Sequence, residues 1–198
     1  GSSMREYGVL TPNPLWVEQW PDVWFDAVCE TIREVVSIAK ISARDVAGIY
    51  ISGLYGCSGV PCDSEMKPVR PCIIWMDRRA QKQCDWVLEK FTPDQLMSIT
   101  SNGVDPYFGF TKILWIKDNE PENWKKISTF LPPNAYVIYK LTGEVAIDFS
   151  SAGNLGGVYD ARNGCWSTNL LNAMGISPDI MPQKFVQASD VVGELSVA

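Results

Sequence analysis

Histidine is absent from the 198 residues. That excludes histidine-based triads, imidazole metal ligands and histidine proton relays. There is no apolar run of about 18 residues, the length a membrane-crossing helix needs, and no signal-like opening. The six cysteines, at positions 29, 57, 62, 72, 84 and 165, include no CxxC pair, so zinc-binding spacing is missing. They read as small core residues of a reduced, cytoplasmic protein. Basic charge is short as well: 17 Lys and Arg against 23 Asp and Glu leave a net charge of −6. This disfavours a nucleic-acid or anionic-membrane partner held by bulk electrostatics. The phosphate-binding patterns GxxxxGK[ST] and GxGxxG are also lacking.

What is present is an ordinary globular composition, 46% apolar and 20% charged, enough for a core. No repeat, low-complexity tract or linker divides the chain, which reads as one compact unit with two lobes at most. The opening Gly1-Ser2-Ser3 reads equally as an expression remnant or as native sequence. The organising stretch runs from Ala47 to Gln81. Its apolar run at residues 47–52 predicts a buried strand ending at Gly53. Residues 63–68 have turn chemistry. A second strand is expected over residues 72–75, then a helix from Arg78 to about Lys90, capped by Asp77. Buried strands ending in polar and aromatic residues mark where open sheets place ligands.

Upstream, residues 5–10 suit the tail of a strand. Pro21 and the helical spacing of Trp24, Val28, Ile32, Val35, Val36 and Ala39 predict an amphipathic helix over 21–40. Downstream, Thr92-Pro93-Asp94-Gln95 matches a capping box. Thr111 suits the cap of a helix through Lys117, and Pro121 the start of another. A strand is expected over 128–131, a helix from Asn134 to Leu141 stopped by Gly143, a short extended piece over 145–147, and a helix over 166–174. Helix followed by apolar strand argues for an α/β layer structure.

Several groups could carry chemistry. In Trp75-Met76-Asp77-Arg78-Arg79, a carboxylate beside guanidinium groups can grip vicinal hydroxyls, and an indole suits the C–H face of a sugar. The structural alternative is a helix cap with surface arginines around a core tryptophan. In Asp105-Pro106-Tyr107-Phe108 a turn can offer the Tyr107 phenol to a ligand, or plug the core with its aromatics. Lys112 opens a helix at the end where a cation is unfavourable, and either reaches a carboxylate or is solvated. Asp148 with Ser150 and Ser151 forms a polar knot that also suits a helix start. The three glycines of GLYGCSG, residues 53–59, allow a close backbone approach or a bulge. The site expected at the strand ends comprises Tyr55, Trp75, Asp77, Arg78 and, with the next turn, Tyr107.

Together these stretches resemble the sugar-binding N-terminal domain of the FGGY carbohydrate kinases, the family of xylulose, gluconate, ribulose and glycerol kinases. PNPLWVEQWPDVWF, IYISGLYG, VRPCIIWMDRRA, DPYFGFTKILWIKDNEP and LPPNAYVIYKLTGEVAIDFSSAGN carry the likeness, in the family's order. The kinase signature around Lys112 is met except at Gly109, where Pro, Ser or Thr is usual. The resemblance implies a ribonuclease H-like, actin-like ATPase fold, a mixed sheet flanked by helices and incomplete at its N-terminus. It implies that residues 5–198 form most of the N-terminal domain, without the ATP-binding C-terminal domain. Trp75 corresponds to the tryptophan walling the substrate pocket, Asp77 and Arg78 to the acid–arginine corner, and Tyr107 to the tyrosine that touches the polyol in glycerol kinases. At residues 53–56 the chain departs from both the Gly-Gln-Met-His of xylulose kinases and the Arg-Glu pair of glycerol kinases, so the sugar is not specified.

The full-length enzyme would use ATP and Mg²⁺ to phosphorylate a hydroxyl of a sugar or polyol. No catalytic base and no metal ligand is assigned in this chain, which is expected to be inactive alone. Full-length protein is expected as a homodimer, and this chain as self-associating through an exposed sheet edge. The alternatives are a catalytically dead sugar-binding module and an interaction module of the actin-like superfamily.

Overall fold

The computed structural model describes residues 1–53 and 57–196. Its longest helix, α1 (Asp22–Ala39), begins after Pro21 and ends at Lys40 in the left-handed region, φ 53°. Beside it, β1 (Glu18–Gln19) pairs antiparallel with β3 (Cys72–Ile73). β2 (Val60–Cys62) pairs antiparallel with β4 (Thr129–Leu131). The turn between β2 and β3 is held by Asp63, whose Oδ1 accepts from the N–H of Glu65 and of Lys67, both at 2.9 Å.

The central helix is α4 (Gly109–Asn119), buried at every residue from Gly109 to Ile116. A helix enclosed on all sides is a core element and not a surface one. Against it pack α2 (Gln81–Lys90), α5 (Pro121–Trp124) and α7 (Phe149–Leu155), and α3 (Pro93–Thr100) adds Leu96 to the same core. α6 (Pro133–Thr142) packs on α1 and ends at Gly143 with φ 78°, where only glycine is unstrained. The remainder comprises β5 (Ile147–Asp148) parallel to β8 (Phe185–Val186), the hairpin β6 (Tyr159–Asp160) with β7 (Cys165–Trp166), and α8 (Thr168–Ala173). Among the described residues no helix is long and apolar enough to cross a membrane.

Several expected elements differ. Residues 47–52 join no ladder among the described residues, and Val46, Ile49 and Tyr50 are exposed. A strand needs a neighbour to take its N–H and C=O groups. Here two clefts, of about 530 and 660 Å³, flank the stretch instead, and Ile51 lines both. Residues 5–10 contribute one bridge, Leu10 to Glu18. The helix expected from Arg78 starts at Gln81, because Asp77 turns inward instead of capping. Thr111 does not cap α4; its hydroxyl donates back to the Phe108 carbonyl at 2.8 Å. Asn134 does not cap α6, and its amide donates to Asp148 and Ser151. The helix expected over 166–174 begins only at Thr168, capped by Ser167, because Trp166 belongs to the β6–β7 hairpin, which the sequence does not lead us to expect.

Candidate functional site

The strand-to-helix corner after β3 is pinned to the segment before β1. The N–H of Ile74 donates to the Val17 carbonyl at 3.1 Å, and that of Arg78 to Leu15 at 2.9 Å. In the same corner Asp77 is fully buried. Its Oδ2 accepts from the Val17 N–H at 2.6 Å and from Arg79 Nη2 at 2.7 Å; its Oδ1 accepts from the Arg79 N–H at 2.9 Å. The Arg79 guanidinium lies 4.0 Å from the Trp16 ring centre and 4.7 Å from that of Trp115. Glu18 receives both Arg70 and Arg79, and Glu120 pairs with Arg70 at 3.0 Å. A charge this deep persists only when paired and bonded, and the two indole faces add cation–π attraction. The inward half of the corner is therefore structural, and the Asp77 carboxylate is committed to it.

The outward half differs. Arg78 is half exposed, and its Nη1 meets Asp105 Oδ1 at 2.5 Å. The same Oδ1 accepts from the N–H of Tyr107 at 2.7 Å. Asp105 thus ties Arg78 to the turn that carries the Tyr107 phenol, and the ring of Tyr107 meets Phe108 edge-on at 5.6 Å. Trp75, 40% exposed, lines the 530 Å³ cleft with Gly53, Cys57, Ile74, Met76 and Asn134. Of the expected site residues the structure joins Arg78 and Tyr107, sets Trp75 on the cleft wall, and turns Asp77 away. Tyr55 lies outside the described residues.

Three further groups belong to this region. Asp105 was expected only as part of the turn; an Asx pattern ahead of Pro106 is the local signal for it. Lys112 is fully buried, and its Nζ donates to the carbonyls of Pro106 at 2.7 Å and Tyr107 at 2.6 Å. Burial pulls its pKa down to about 8, against the thiols of Cys57 and Cys72 and the Asp77 carboxylate, which favour the charged form. The polar knot is Asn134, Asp148 and Ser151. Asp148 caps α7 through the Ser151 N–H at 2.9 Å, and Asn134 backs onto Gly53, where an added Cβ would come within 3.0 Å of it. Burial pushes the Cys72 thiol well up. Among the described residues no group of three His, Cys, Asp or Glu could hold a metal ion.

The whole chain, residues 1–198, matches the FGGY family of carbohydrate kinases, N-terminal domain. It is 36% identical over 192 residues to a xylulose kinase of Bacillus subtilis, covering 96% of this chain and 38% of that protein. A glycerol kinase of Solidesulfovibrio magneticus is 29% identical over 198 residues, with 98% and 40% covered. The structure of a xylulose kinase from Rhodospirillum rubrum superposes with a TM-score of 0.89 at 25% identity, over 97% of this chain and 39% of that one. The chain thus spans about two fifths of the length of these relatives, and its fold is the expected actin-like one of sugar kinases. On sequence and structure together, the chain belongs to the FGGY family of carbohydrate kinases and corresponds to its N-terminal domain.

Proposed function

We propose that this chain is most of the sugar-binding lobe, residues 5–198, of an ATP-dependent kinase that phosphorylates a hydroxyl of a sugar or polyol. The observation that carries the reading is the shared Asp105 oxygen, which locks Arg78 and the Tyr107 turn into one half-exposed polar cluster. Trp75 stands on the same corner as Arg78. A carboxylate and a guanidinium already paired with each other can divide the two directions of a diol's hydrogen bonds. The phenol adds one more donor or acceptor, and the indole receives the apolar face of the ring. Asp77 acts by holding the corner, and Tyr55 enters as a residue of the site expected at the strand ends.

In this reading the lobe binds and orients the sugar. The sugar hydroxyl displaces ADP from the γ-phosphate, with positioning and electrostatics supplying the catalysis. ATP and Mg²⁺ belong to the full-length enzyme. Among the described residues no group of three His, Cys, Asp or Glu fits a metal ion. The protein is cytoplasmic, its partner is a small molecule and not a nucleic acid, and the full-length form is a homodimer.

A coupled ADP-release assay tests this. The full-length gene product with ATP should turn over at least one of xylulose, gluconate and glycerol, and the 198-residue chain alone none. Sugar-dependent turnover by the chain alone would overturn the division of labour. No turnover by the full-length protein on a broad sugar and polyol panel would overturn the kinase reading.

A further inference from the structure

We propose that Lys112 is the positioning residue of the sugar site: its ammonium clamps the Pro106–Tyr107 turn from beneath and so fixes where the phenol and the Asp105–Arg78 pair point. The inference rests on the kinase reading above. Lys112 sits in the first turn of α4, where the helix dipole opposes a cation, and it is fully buried, where desolvation opposes one too. An apolar side chain of the same length would fill the space without either cost. A donor there bonds the turn. Nζ takes the carbonyls of Pro106 and Tyr107, and the Thr111 hydroxyl takes that of Phe108. The Phe108 N–H closes onto the Asp105 carbonyl at 3.0 Å. The carbonyls of all four residues of the turn are thereby engaged, two of them by one side chain.

The same ammonium stands 5.9 Å from the centre of the Tyr107 ring, near the outer limit of a cation–π contact. The thiols of Cys57 and Cys72, the Asp77 carboxylate and the Arg78 guanidinium also act on the ammonium electrostatically. Lys112 is bonded to the Tyr107 turn, and Arg78 is tied to the same turn through Asp105. In this role Lys112 acts through the turn that carries Tyr107 and Asp105.

The test is steady-state kinetics on the full-length gene product carrying K112M, with K112Q as a second variant that keeps one donor. Xylulose, gluconate and glycerol are the probes. K112M should raise the KM for the accepted sugar about tenfold or more and leave the KM for ATP within about twofold, with K112Q between it and wild type. A structural role alone would change folded yield and leave the sugar KM of the folded enzyme unmoved. An unchanged sugar KM in whichever variant folds overturns the positioning role while the kinase reading stands. An equal rise in both KM values overturns it as well. A wild-type protein that phosphorylates none of the probes removes the kinase reading and this inference with it.

Discussion

Arg78 and Arg79 are adjacent in the chain and opposite in environment. Arg79 is almost fully enclosed, between two indoles and across from Asp77 and Glu18. Arg78 and its partner Asp105 are each about half exposed. A solvent-screened pair contributes about 0–1 kcal/mol, whereas removing one partner of a buried pair costs about 3–5 kcal/mol. R79M should therefore lower the free energy of urea unfolding by several kcal/mol, about 3–5 on this scale. R78A should lower it by less than about 1. Equal losses in the two variants would refute the assignment. The sequence places both arginines at a ligand-facing corner but does not say which faces in. That choice is made by Trp16 and Trp115, which come from distant segments and meet at 5.0 Å only in the fold. Asp77 faces inward for a related reason: Val17, whose N–H donates to it, arrives by tertiary packing and joins the local partner Arg79.

Helices were legible where their ends are local. Thr92 and Gln95 form the reciprocal capping box that their spacing predicts, and α1 and α6 stop where Lys40 and Gly143 turn left-handed. α4 was harder, because its start is set by contact. Its first residue is Gly109, where the family resemblance implies Pro, Ser or Thr, and the fold leaves little room for a side chain. A Cβ there would lie 2.2 Å from the Cys57 carbonyl oxygen and 2.5 Å from Leu155 Cδ2. The first turn of α4 thus sits directly on the segment preceding β2. Overpacking of this kind costs about 1–3 kcal/mol, and here the nearest atom is backbone, which yields least. G109A should lower the thermal midpoint clearly. G103A, where an added Cβ meets nothing within 4 Å, should leave it nearly unchanged. A G109A protein as stable as wild type would show that α4 can retreat from Cys57.

At the scale of the whole molecule, composition and helix–strand order were enough to indicate an α/β layer protein, and the motif order to indicate the family. The strands were the poorly legible part. They are two or three residues long, and their pairing depends on partners remote in sequence. Residues 47–52 carry the most strand-like run in the chain, yet among the described residues they remain unpaired, with Tyr50 72% exposed. Unpaired apolar backbone of this sort invites pairing with another chain. The 198-residue chain should therefore gain mass with concentration in light scattering, and I49K with Y50K should suppress the gain. A single monomeric species at all concentrations would refute this.

The short ladders have a consequence of their own. Along β3 and the residue after it, Ile73 faces the cluster around α4 while Cys72 and Ile74 face the cluster beneath α1; along β4, Phe130 and Leu131 divide in the same way. The two compartments share one partition whose bricks alternate between rooms. Sliding either strand by a single residue would exchange the linings of both at once, so neither compartment can be rebuilt without disturbing the other.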